Sequence, residues 1–198
     1  MKGNALLHYF KFFIGLDKPH TQTTFSEREA IAKYAKGCKH CVEIGVYEGV
    51  NTVVIAKSIE ELGDSKLYAI DPFFKGRFGV CYYEKIAKRL TKRNGVHKKI
   101  EWLPFFSFDA VNKVPDNIDF IFVDGDHSLE GITRDWQDWV PKLSTNGIIA
   151  LHDTAIPLHD DSVKTLGSYK YFNETIKSDP RFDLIATVDS LNILRKNR

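Results

Sequence analysis

A chain of 198 residues, 43% hydrophobic and 27% charged, is long enough for one domain whose core needs neither disulfides nor a structural metal. The formal net charge of +2, with Lys and Arg scattered along the chain, gives no electrostatic basis for nucleic-acid binding. Three cysteines, one necessarily unpaired within the chain, point to a reducing compartment, and a cytoplasmic location is expected.

Residues 5–16 are apolar and aromatic but too short to span a bilayer, and they carry His8 and Lys11 without a basic leader or cleavage site. An N-terminal helical extension over residues 1–25 is expected, packed on the domain or on a partner subunit, so a homo-oligomer is possible. The main domain then covers 26–198. Ser26 is expected to cap a helix with Glu27 and Glu29 in its first turn, Ile31, Tyr34 and Ala35 at helical spacing, and Gly37 closing it. Cys38 and Cys41 have the spacing of half a zinc ribbon or a redox pair; with no second pair, they read as small buried hydrophobes.

Strands are predicted at 41–44, 66–70, 100–103, 118–123 and 148–151, alternating with helices. The clearest helix carries Ile132, Trp136, Trp139, Val140 and Leu143 on one stripe, with Pro141 kinking or ending its last turn. Asn146-Gly147 turns into the fifth strand, 163–177 reads as a helix, and 182–188 with 191–194 as a closing hairpin joined at Asp189-Ser190. This alternation predicts an α/β fold: a doubly wound, Rossmann-like, mainly parallel sheet of seven strands ending in an antiparallel hairpin.

Two strand endings carry the chemistry. The run 120–123 stops at Asp124-Gly-Asp126-His127, and 147–151 stops at His152-Asp153. Ligands of open α/β sheets sit outside the carboxyl ends of the strands. Neighbouring strands lie ~4.8 Å apart, so Asp124 and Asp153 can share one cation or face one substrate. The first strand runs into Glu43-Ile-Gly45-Val-Tyr47-Glu-Gly49-Val-Asn-Thr52. Its two glycines allow a tight turn and close approach of a ligand to the next helix, while the dinucleotide spacing G-x-G-x-x-G is absent. Glu43 would repel a pyrophosphate but suits a cation such as S-adenosylmethionine, and Asp71 is placed for ribose hydroxyls.

The segment from Glu43 through Gly45, Tyr47 and Gly49 to Thr52 resembles the donor loop of the catechol-type, metal-dependent O-methyltransferases. The stretches 123–128 and 151–154 are similar to the sugar-directed O-methyltransferases of macrolide biosynthesis and the cephalosporin hydroxylase-like proteins. The resemblance covers roughly residues 25 to 195. It implies an S-adenosylmethionine-dependent O-methyltransferase of class I, acting on a hydroxyl of a small molecule, a sugar or glycosylated metabolite first. It also implies a divalent cation, Mg²⁺ before Mn²⁺ or Fe²⁺, held by Asp124 and Asp153, with His127 as general base; such a cation would lower the pKa of the acceptor hydroxyl.

The chain departs from those families at His152, where the sugar enzymes carry glutamate, and at Thr154, where the catechol type carries asparagine. His152 can be a third metal ligand, a second base or a packing residue, and as a ligand it would shift preference toward Mn²⁺, Fe²⁺ or Zn²⁺. Asp126 can cap the helix near Ser128 or join the site. Ser107 and Phe108 follow the third strand where the donor adenine would lie. The loops 73–82 and 155–168, the latter with His159, Asp160 and Asp161, are candidate substrate walls. Two other readings stand beside the first: an Fe²⁺ hydroxylase using His127, His152 and one aspartate, and a non-catalytic donor-binding scaffold.

Overall fold

The computed structural model of the protein describes residues 5–61, 63–76, 79–158 and 160–197. The predicted strands form β1 (His40–Ile44), β2 (Lys66–Ile70), β3 (Ile100–Leu103), β4 (Ile118–Val123), β5 (Leu143–Leu151), β6 (Phe182–Val188) and β7 (Leu191–Lys196). They make one seven-stranded sheet in the order β3-β2-β1-β4-β5-β7-β6. β1 to β5 pair in parallel, and β7 runs antiparallel to both β5 and β6. This is the doubly wound, Rossmann-like architecture expected from the alternation of strands and helices.

Side chains alternate across the sheet, so each strand feeds two cores. On one face Val42, Ile44, Ile121 and Val123 pack with Ala110 of the short α5 (Ser107–Ala110), Trp136 and Trp139 of α6 (Leu129–Trp139) and Phe172 of α7 (Gly167–Glu174). On the other, Cys41, Leu67, Phe120 and Phe122 meet Ile31 of α2 (Phe25–Ala35), Ile55 of α3 (Val50–Ser58) and Ala87 of α4 (Tyr82–Arg93). Cys41 and Cys81 are buried, Cys38 is half-buried, and all three thiols are free. The N-terminal helix α1 (Ala5–Phe13) buries Phe12, with Arg93 4.9 Å from that ring and Arg89 3.8 Å from the ring of Phe13. Among the described residues no helix is long and apolar enough to cross a membrane.

Several local expectations are corrected. The cap of α2 is Thr24, not Ser26: its hydroxyl accepts from the Glu27 N–H at 3.2 Å while Glu27 Oε2 accepts from the Thr24 N–H at 2.7 Å, a complete capping box. Ile132, Trp136 and Trp139 of the predicted stripe are buried on α6, which stops at Trp139; Val140 and Leu143 are buried beyond it, in the 3₁₀ turn that carries Pro141 and at the start of β5. β5 starts at Leu143 rather than 148, and Asn146 passes through it at φ +63°. The helix expected over 163–177 is broken into a 3₁₀ turn (Asp161–Thr165), α7 and a second 3₁₀ turn (Ile176–Ser178). Gly167 sits where a Cβ would lie 2.0 Å from the Leu129 backbone nitrogen, so the chain has to pass α6 without a side chain before α7 begins.

Candidate active site

The sheet order reverses between β1 and β4, and the two strand ends lie side by side there, the Asp124 N–H donating to Ile44 O at 2.8 Å; on the other side of β1 the Gly45 N–H donates to Ile70 O of β2 at 2.9 Å. Gly45 has φ +88°, and a Cβ on it would stand 2.0 Å from the Asp124 carbonyl oxygen. Gly49, at φ +80°, is pressed against Ala87 of α4 in the same way, with 2.8 Å to its Cβ. The glycine turn is therefore clamped between β4 and α4. Asp71 completes the clamp: Oδ2 accepts from the N–H groups of Val46 and Tyr47 at 3.0 and 3.1 Å, and Oδ1 from Phe73 at 2.8 Å. Asp71 thus buttresses the turn as well as facing the space beyond it.

That space is a cavity of about 570 Å³, of a size suited to a nucleoside-like ligand. Of the residues expected to hold a donor, Gly45, Tyr47, Asp71, Ser107, Phe108 and Asp124 line it; Glu43, Gly49 and Thr52 do not. Asn51 takes the place expected of Thr52, because α3 begins at Val50 and its phase turns Thr52 into the core. Glu43 is fully buried with no hydrogen bond to either carboxylate oxygen, and burial, with Asp124 and Asp71 adding to it, holds its carboxyl well above the ordinary range. It stands behind the turn and does not line the cavity.

Sequence reasoning missed Asp135 on α6. Its Oδ1 accepts from the Ser107 hydroxyl at 2.5 Å, it lines the cavity, and it is 4% exposed. Burial raises its pKa to about 6, Asp138 and Asp126 reinforcing the shift against the Ser107 hydrogen bond. A buried acid with a raised pKa makes the fold less stable as pH climbs from about 3.8 to about 6, and the penalty stays constant above. Asp135→Asn is therefore expected to raise stability at pH 7–8 by at most ~3 kcal/mol, with the gain vanishing below about pH 4. Chemical denaturation at both pH values checks it; equal midpoints at pH 8 would refute it. Beside it, Phe108 is stacked on Phe106 at 5.2 Å and covered by the Arg134 guanidinium at 3.6 Å, so it forms a wall already packed on both faces.

At the cavity edge, Asp124 joins a cluster of acids and imidazoles. His127 Nε2 lies 3.6 Å from Asp124 Oδ1 and 3.7 Å from Asp153 Oδ2. His152 Nδ1 lies 3.0 Å from Asp124 Oδ1 and 3.6 Å from Asp153 Oδ1, and its Nε2 faces Glu27 Oε2 at 3.5 Å. None of these contacts of His152 is an aligned hydrogen bond; they are ionic. Burial alone would depress the His152 pKa, but Asp124 and Glu27 outweigh it and carry it up to about 10, so the ring is an imidazolium. His152, expected as a metal ligand, a base or a packing residue, directs Nδ1 at Asp124 and Asp153 and Nε2 at Glu27. Asp124 and Asp153 remain as oxygen donors suited to a hard cation, with His127 beside them, and Asp124 Oδ1 is buried without an aligned hydrogen bond.

The neighbours have structural work. Asp126 lines the cavity and also accepts from the Ser128 N–H and hydroxyl at 2.9 and 3.0 Å, while Ser128 caps α6. Thr154 is buried, donating to Leu151 O at 2.8 Å and accepting from Asn192 at 3.1 Å. The cavity wall uses Phe73, Phe74 and Cys81 from the first predicted substrate loop and none of the described residues of 155–168. In that second loop Asp160 accepts from the Ser162 N–H and Asp161 pairs with Lys164 at 2.8 Å; His159 lies outside the described residues.

Residues 42–154 match a family model described as a methyltransferase domain. An uncharacterized protein, y4gI, of Sinorhizobium fredii (strain NBRC 101917 / NGR234), is 25% identical over 140 residues, which is 69% of this chain and 15% of that protein. The chain thus spans a small part of the length of the curated relative it matches. Among solved structures, cofactor-bound Rv0187 from MTB superposes with a TM-score of 0.71 at 14% identity, covering 100% of this chain and 93% of that one. The O-methyltransferase TomG from Streptomyces achromogenes, involved in tomaymycin synthesis and solved with SAM, gives 0.69 at 16% identity, with 100% and 92% covered. At such identities these likenesses establish the shared fold.

Proposed function

The chain belongs to the methyltransferase-domain family, and from that premise we propose that it is an S-adenosylmethionine-dependent O-methyltransferase acting on a hydroxyl of a small molecule. The observation that carries this reading is the position of Asp124. It borders the cavity clamped by the glycine turn and belongs to the cluster with His127 and Asp153. A donor in the cavity and an acceptor hydroxyl at the cluster would meet across that one residue. Methyl transfer is an in-line displacement, so holding the two together supplies much of the rate.

In this reading Gly45, Tyr47, Asn51 and Asp71 bind the donor, Ser107 and Asp135 take its base, and His127 accepts the acceptor's proton. Asp124 and Asp153 would hold a divalent cation, Mg²⁺ first; when bound, such an ion polarises the acceptor oxygen. The His152 imidazolium offsets part of the carboxylate charge in the ion's absence. A sugar or glycosylated metabolite is the acceptor class we place first, supported by the motif resemblance at 123–128 and 151–154. We place the reaction in the reducing cytoplasm, supported by three free thiols.

Titration calorimetry with S-adenosylhomocysteine, on metal-stripped protein and again with Mg²⁺ or Mn²⁺, tests both halves. Binding is expected without metal and is expected to weaken in Asp71→Ala, which loses the buttress of the turn. A separate Mg²⁺ or Mn²⁺ signal lost in Asp124→Ala supports the cation. Failure of the nucleoside to bind under any condition would overturn the methyltransferase reading.

A further inference from the structure

A second group of ligating side chains lies away from the acid–imidazole cluster, where the N-terminal segment crosses the glycine turn. We propose that His8, His20 and Glu48 form a binding site for Zn²⁺ or a similar borderline divalent ion, which ties the N-terminal segment to the donor loop. One ligand atom from each of the three lies within 4.8 Å of the others, and among the described residues no other group of three ligating side chains meets that limit. His8 Nε2 is 3.0 Å from Glu48 Oε2, and His20 Nδ1 is 3.3 Å from Glu48 Oε1. A tetrahedral zinc with bonds of ~2.0–2.1 Å sets its ligand atoms about 3.3 Å apart.

Two further features point to an ion. His8 Nδ1 lies 2.8 Å from Asp17 Oδ2, and Asp17 Oδ1 accepts from the Lys18 N–H at 2.9 Å. A carboxylate on one imidazole nitrogen orients the ring for a metal on the other; an ion at Nε2 would replace its 3.0 Å hydrogen bond to Glu48. Glu48 is 0% exposed, and its Oε1 has no aligned hydrogen bond although the His20 N–H donates to Oε2. A buried carboxylate oxygen in that condition calls for a cation. The His8 and His20 rings are stacked at 3.9 Å and 11°; nearly parallel ring planes do not meet at one ion, so binding would turn the exposed His20 ring out of the stack.

Two imidazoles and a carboxylate select a borderline ion over Mg²⁺. With His20 55% exposed in its side chain, the fourth position is open to water. Glu48 sits between Tyr47 and Gly49, and His20, Thr21 and Gln22 line the cavity, so the ion would fix one wall of the donor site. The inference does not depend on the cation at Asp124.

The test uses the full chain with Asp124→Asn and Asp153→Asn, so that the other cluster is silent, and Co²⁺ as probe. Expected are one Co²⁺ per chain with tetrahedral d–d absorption, displacement by Zn²⁺, and a Zn²⁺-dependent rise in melting temperature. His20→Ala, at an exposed position, is expected to abolish all three while circular dichroism stays unchanged. Asp17→Asn is expected to weaken Co²⁺ binding ~10–100-fold. Absence of the Co²⁺ spectrum, or a spectrum unchanged in His20→Ala, would overturn the site and leave a protonated His8 bridging Asp17 and Glu48.

Discussion

Glu27→Gln is expected to destabilise the protein by ~3–5 kcal/mol, the cost of breaking a buried ion pair from one side. Glu27 is 1% exposed and ties three elements together. Its Oε1 accepts from the Ser190 N–H and hydroxyl at 2.9 and 2.7 Å, and its Oε2 accepts from the Thr24 N–H and faces His152. Every group around this carboxylate is a donor or a cation. A glutamine can keep its oxygen toward Ser190, but its NH₂ then points at the Thr24 N–H and at the His152 imidazolium. Burial alone would raise the Glu27 pKa; the interactions with His152, Thr24 and Ser190 outweigh it and bring it to about 2. A depressed acid contributes stability present above its unfolded value of 4.5 and lost as pH falls from there through about 2. Wild type should therefore lose its advantage over Glu27→Gln across that acid window. Thermal melts at pH 7 check the size: the loss corresponds to a drop of roughly 10 °C for a chain of this length. Glu29→Gln, at an exposed position on the same turn, is expected to shift stability by less than about 0.5 kcal/mol. Equal melting temperatures for Glu27→Gln and wild type would rule out the pairing with His152.

Glu27 also marks the limit of what the sequence discloses. The strands β2, β3 and β4 coincide with the apolar runs that predict them, and the acids closing β4 and β5 meet because the sheet order forces those ends together. A strand fixes where its last residue points, so Asp124, His127, His152 and Asp153 are legible as a group. Glu27 reads as a helix-dipole residue, and its partner Ser190 is 163 positions away in the chain; no local pattern joins them. The T-x-x-E box at Thr24 was the available signal, and it predicts the cap but not the burial. Phase decides two further cases. Glu43 is on the strand face that looks into the core, and Asn51 displaces Thr52 at the cavity because the first turn of α3 begins one residue after Gly49. Asp135 is missed because a charge within a buried helical stripe has no meaning until the cavity beside it is known. The break at Gly167 depends on contact with α6, which the sequence of 163–177 does not contain.

His127→Gln is expected to lower kcat/KM by ~10²–10⁴-fold, the range of a lost general base, with S-adenosylhomocysteine affinity unchanged. The two histidines of the cluster divide the work by burial. His152 is enclosed, held between Glu27 and Asp124, and already carries a proton that it keeps up to about pH 10. In the proposed reaction it would position Asp124 and balance its charge rather than take the acceptor's proton. His127 is 27% exposed in its side chain, with Asp124 and Asp153 at 3.6 and 3.7 Å, and would be the base of that reaction. Glutamine keeps the polarity but takes no proton, so the rate should fall while donor binding is kept. Excess Mg²⁺ should not restore it. Restoration by metal would show that His127 serves as a ligand, and an unchanged rate would remove it from the reaction. Asp124→Asn should lose rate to a similar degree and the Mg²⁺ signal as well, since that carboxylate serves both the cavity and the cluster. The contrast between the two variants separates proton transfer from placement of the acceptor.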